Sequence, residues 1–232
     1  DFIKQSVPFG NQLGGFVDKL VAIPLPALAA VAAIAGLVTA FISLGQRGAA
    51  LVPLAESFDN LTAAVGISSQ ALLIDLRKAA NGTVSDFDLI KRANLALVGS
   101  VGEFGKQFGQ KLPQVLAAAR AAAKATGQDV DFLFQSLVAG IKRASPRLID
   151  NTGIVLRLSE ANETLAKSLN KSVEQLTDEE KQIAVLNATV AAGASLISSL
   201  GDAQESNAEK LARSQATITN ILDSFAISVQ PA

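Results

Sequence analysis

The chain has 232 residues, 49% of them hydrophobic, with 20 basic and 21 acidic side chains and a formal net charge of −1. It contains no Cys, His, Met, Trp or Tyr, which excludes thiol nucleophiles, imidazole bases, phenolic acids, disulfides and thiolate zinc sites. A near-neutral chain also argues against a general nucleic-acid coat, because binding by counterion release needs a clustered basic surface. Asp, Glu and Lys remain for proton transfer, yet no pair of acids stands out as a carboxylate site. The expectation is a non-enzyme with no catalytic, cofactor-binding or metal-ligating residues. The N-x-S/T triplets at Asn60, Asn81, Asn162, Asn170 and Asn187 carry weight only on a secreted eukaryotic chain, and nothing supports that origin. A start at Asp1 without any methionine is expected of a piece of a longer protein.

In chain order, the first feature is a stretch without charge over residues 21–46, apolar from Ala27 to Leu44 except for Thr39, Ser43 and glycine. As a helix it is long enough to span a bilayer. Three readings stay open: a membrane span, a helix buried between copies, and a helix enclosed in a large assembly. Ala29, Ala32, Ala33, Gly36 and Ala40 leave little side-chain bulk and let neighbouring backbones approach closely. Of these, Ala29, Ala33, Gly36 and Ala40 are the candidate contacts for an oligomer or a membrane. Pro24 and Pro26 place the helix start near residue 26, and Gly45 and Gly48 loosen its end.

Short helices with readable caps follow. Ser68 precedes an amphipathic helix over 70–80 with Leu72, Leu73, Leu76 and Ala80 on one face, closed by Asn81-Gly82. Ser85 opens the next, where Asp86 and Asp88 suit the positive dipole end and Phe87, Ile90 and Leu97 share a stripe with Asn94. Residues 99–107 carry glycines before Lys106, but a phosphate loop needs Gly and Ser or Thr where Ser100 and Gln107 stand. The segment is expected to be a flexible connector or an irregular helix. Pro113 fits the first turn of an alanine-rich helix ending at Gly127, and Asp129 caps another with Val130, Leu133, Phe134, Leu137, Val138 and Ile141 as its apolar face. The cations Lys142, Arg143 and Arg147 at its end match the negative dipole terminus.

Residues 147–158 hold β-branched residues and a turn signal, so a small β-hairpin competes with an ordered loop. Ser159 begins a further helix, and Ser172 with Gln175, then Thr177 with Glu180, have capping-box spacing. From Ile183 a 3-4 spacing links Ile183, Leu186, Val190, Ile197, Leu200, Leu211, Ile218, Ile221 and Phe225, the candidate heptad seam, interrupted by Gly193, Gln204, Asn207 and Ser214. Two readings compete here: a coiled coil, and a helical hairpin broken at Gly201-Asp202.

The expected fold class is all-α, with several short helices, long apolar and heptad-like helices at the two ends, and at most one small hairpin near 147–158. Residues 1–57 form an apolar membrane-active or oligomerising segment, 58–160 a compact multi-helix domain, and 161–232 a helical hairpin or coiled coil.

Three phrases occur in a fixed order: FDNLTAAVGISSQALLIDLRKAANGTVSDFDLIKRANLAL, then ATGQDVDFLFQSLVAGIKRASPRLIDNTGI, then SEANETLAKSLNKSVEQLTDEEKQIAVLNA. Over residues 58–188 the chain resembles the bacteriophage tail tape measure proteins. The resemblance implies a virion protein inside the phage tail, synthesised in the host cytoplasm, whose length sets tail length and around which tube subunits polymerise. It implies other copies of the same chain, tail tube and tail tip proteins as partners, release ahead of DNA during genome ejection, and no recognition of a nucleic-acid sequence. A second reading, also associated with such proteins, is a membrane-inserting channel former acting through the apolar helix 27–45 on the host membrane. Neither the long aromatic repeat nor the peptidoglycan-cleaving signature carried by some similar proteins is present.

Overall fold

The computed structural model describes residues 49–201 and 207–228. The apolar run 27–45, with Ala29, Ala33, Gly36 and Ala40, lies outside the described residues. Among those residues there is no strand. The helices are α1 (49–64), α2 (Ser69–Ala79), α3 (Asp86–Leu97), α4 (Gly102–Thr126), α5 (Val130–Lys142), α6 (Pro146–Asp150), α7 (Leu158–Ser168), α8 (Asp178–Leu200) and α9 (Asn207–Ser228), with one 3-10 turn at Val173–Gln175. Residues 54–219 make one compact unit, and residues 1–53 with 220–232 are assigned to another. The 58–160 and early 161–232 segments thus share one core.

The caps form where the spacing places them. Ser68, Ser85 and Asp129 accept from the backbone N–H groups of Ala71, Asp88 and Phe132, at 3.3, 3.3 and 3.0 Å. Both capping boxes close: the Ser172 N–H donates to Gln175 at 2.8 Å, and the Thr177 N–H to Glu180 at 2.8 Å. Helix ends fall on left-handed residues, with φ 52° at Asn81, 73° at Gly127 and 54° at Asn170. The core faces of α2 and α5 are the expected ones, Leu72, Leu76 and Ala80 in the first and Leu133, Phe134, Leu137 and Ile141 in the second. In α3 the buried face is turned toward Leu89, Ala93, Ala96 and Leu97, leaving Phe87 and Ile90 half-buried. Asn94 stays buried because its amide donates to the Leu54 carbonyl at 3.0 Å, tying α3 to α1.

Two expectations are corrected. Residues 147–158 form no β-hairpin: Pro146 starts the short helix α6, whose Ile149 is buried against the bare Gly140 of α5, and a turn with Gly153 at φ 75° leads into α7. Packing of the β-branched Ile149 and Ile154 into a helical core replaces strand pairing. The second correction is α4, which starts at Gly102 rather than at Pro113, so Pro113 sits inside a 25-residue helix. Phe104, Phe108, Leu112, Val115 and Leu116 bury one face through that turn. Proline in a helix interior costs about 3 kcal/mol in isolation, and this burial outweighs it.

Helix α4 is the hub, packing against α2, α3, α5 and, most extensively, α8. The α4–α8 pair is parallel. The Phe104 N–H donates to Glu179 at 2.8 Å, Lys111 bonds Asn187, and Ala118 lies under Gly193, so partners are 75 or 76 residues apart from one end to the other. That fixed offset spans roughly 21 Å of helix at the usual rise. Small residues make the approach close: Ala118, Ala119 and Ala122 are fully buried, and a Cβ at Gly193 would collide with that of Ala118. Gly193, which interrupts the heptad spacing, is therefore the contact point of the two longest helices of this unit.

Replacing Gly193 by Leu is expected to destabilise the unit by about 2 kcal/mol, within the usual range for overpacking. The control Ser195→Leu, on the exposed side of α8, should change stability by less than about 0.5 kcal/mol. Circular dichroism during urea unfolding measures both, and equal midpoints would rule out the close crossing.

Candidate functional site

The parallel α4–α8 arrangement sets two like dipole ends side by side, each carrying about half a charge. At the N-terminal end the first turns hold Glu103 on α4 and Asp178, Glu179 and Glu180 on α8. Glu179 caps α4 across the pair, and its carboxylate lies so near Gly102 that a side chain there would displace it; Gly102 also has φ 63°. Glu180 is held below the ordinary carboxylate range by a hydrogen bond from Lys171, and further by the Thr177 backbone N–H.

Cations gather at the other end. Arg120 and Lys124 of α4 meet Arg92 of α3 around a cavity of about 610 Å3, walled by Val84, Val130, Ile197 and Leu200. Arg120 donates to the Ala79 carbonyl at 2.8 Å and pairs at 3.4 Å with Glu209 of α9, which also pairs with Lys124 at 3.1 Å. Burial pushes the Arg120 guanidinium down, partly offset by Glu209 and reinforced by Arg213. Arg92 pairs through Nε with Asp131, while its Nη1 is buried without a hydrogen-bond partner. The described lining combines three cations, one acid and apolar side chains. Among the described residues no group of three or more His, Cys, Asp or Glu side chains is placed to hold a metal ion.

The described seam residues separate into three sets. Ile183 and Leu186 are buried in the unit's own core, and Val190 packs against it. Ile197 and Leu200 line the cationic cavity. Leu211, Ile218 and Ile221 on α9 are 60%, 57% and 64% exposed, and the side chain of Phe225 lies outside the described residues. Helix α8 ends at Leu200, where Gly201 adopts φ 65°, so the 3-4 spacing is carried by two helices and not by one. Helix α8 is long and apolar enough to cross a membrane, with a mean hydropathy of 1.7 over its most apolar window. Its buried residues lie between Ile183 and Gly193.

The basic trio is dispersed. Lys142 donates to the carbonyls of Ala96 and Val98 at the C-terminal end of α3, and burial lowers its pKa; Arg143 and Arg147 are exposed. The sequence reading missed the cationic cavity. Its one signal was Arg120, the lone charge within the alanine run 117–123.

No protein-family model matches the chain, and no solved structure matches it.

The exposed α9 residues generate one expectation. Light scattering of wild type and of the double variant Ile218→Asp/Ile221→Asp should show a smaller mass for the variant, because both side chains would serve a helix–helix contact between copies. An unchanged mass would remove the seam from any intermolecular role.

Proposed function

We propose that this chain is a structural segment of a phage tail tape measure protein, acting in tail length determination and in assembly of the tail tube from within its lumen, and leaving the tail during genome ejection. The observation that carries the reading is the ordered set of phrases over residues 58–188. Those phrases cover the end of α1 with α2 and α3, then α5 with α6, then α7 with the first half of α8, and residues 58–188 all lie in the 54–219 unit. Helix α4 lies between the first two phrases and supplies the face on which they meet. A segment folded in this way does not measure length by itself. A ruler gains about 1.5 Å per residue only as an extended helix, and here the chain turns back on itself repeatedly. Its role in this reading is that of a packed body attached to a ruler, contacting tail tube or tail tip proteins.

Deleting residues 54–200 from the full-length protein in its parent phage should abolish tails of uniform length while leaving heads intact, as counted by electron microscopy. Normal tails of unchanged length would overturn the reading.

The second reading, a membrane-inserting channel former, draws on the uncharged run within 21–46. It requires dye release from liposomes by the intact chain and loss of release in Ala33→Lys/Leu37→Lys, since charge at the bilayer centre costs several kcal/mol, roughly 3 per residue by insertion scales. Absence of release from the wild-type chain would dismiss it.

A further inference from the structure

We propose that the cavity at the C-terminal end of the α4–α8 pair is a binding site for a small ligand with an oxyanion head, carboxylate or phosphate, on an apolar body. The proposal stands independently of any role in a phage tail. Three cations, Arg92, Arg120 and Lys124, line the chamber, and Glu209 is the one acid among its described lining residues. Glu209 is shared between Arg120 and Lys124, so one carboxylate serves two cations.

The donor inventory is also incomplete on the protein side. Arg92 pairs through Nε with Asp131. Arg120 places Nη1 on the Ala79 carbonyl and reaches Glu209 only at 3.4 Å with Nη2. An oxyanion in the cavity adds an acceptor for Arg120 Nη2 and Lys124, which share one carboxylate. Burial adds to the effect, because the desolvated Arg120 gains more from an added negative charge than a solvated cation does.

Neutralisation of the helix termini accounts for only part of this. Lys124 lies in the last turn of α4 and suits its negative end, but Arg92 comes from the middle of α3. The lining also includes Val84, Val130, Ile197 and Leu200, and the volume of about 610 Å3 falls within the range of small-ligand pockets. An inorganic ion would engage the cations and leave these apolar side chains wet. An oxyanion carried on a compact apolar group fits both.

Phenyl phosphate is the probe. With thermal unfolding followed by circular dichroism, the midpoint should rise with the logarithm of phenyl phosphate concentration, relative to phenol plus sodium chloride at matched ionic strength. In Lys124→Gln, whose side chain is nearly half exposed and whose loss leaves the core intact, the concentration needed for a given shift should increase at least tenfold. Arg92→Gln should do the same. No shift in the wild-type protein, or an undiminished shift in Lys124→Gln, would overturn the proposal.

Discussion

Two long helices in parallel contact place like dipole ends beside each other, and the 54–219 unit is organised around absorbing that arrangement. Antiparallel neighbours cancel their dipoles and need only a short loop between them. Parallel neighbours need a crossover, and here α5, α6, α7 and the 3-10 turn supply it. The crossover is not idle chain: α5 packs on α4, and α7 packs on α8. Side-chain charge then follows the dipoles, with acids in the first turns of both helices and cations around their last turns.

The same packing explains residues that look anomalous one at a time. Gly193 and the alanines of α4 are small because the helix axes approach closely. Gly102 is bare because Glu179 of α8 reaches over it to cap α4, replacing the side-chain cap that Val101 cannot provide. Arg120, set in an alanine run, projects from the close-packed helix to the Ala79 carbonyl and to Glu209, so it links α4 to the end of α2 and to α9. Each of these is a local exception that serves one long-range contact.

Much of this fold was legible in the sequence wherever the determinant was local. Caps at Ser68, Ser85, Asp129, Ser172 and Thr177 depend on residues three apart, and the stops at Asn81 and Gly127 depend on one backbone conformation. The misreadings came where tertiary packing overrode a local rule. Glycines at 102, 105 and 109 and a proline at 113 argue against a regular helix, yet Val65 and Ile67 pack onto Gly105 and Gly109 and reward the bare backbone. The 3-4 spacing from Ile183 runs across the end of α8 at Gly201, and its first members, Ile183 and Leu186, pack into the chain's own core. The cationic cavity was nearly invisible, because Arg92, Arg120 and Glu209 lie far apart in sequence and only the fold brings them together.

Helix α8 shows why apolarity by itself does not name a solvent. Its composition satisfies the length and hydropathy of a membrane span, while its residues between Ile183 and Gly193 include the ones buried in the unit's core. Moving α8 into a bilayer would uncover the α4 face it packs on and would break the Glu179 cap and the Lys111–Asn187 bond. In the 54–219 unit α8 serves as the second half of the core pair with α4.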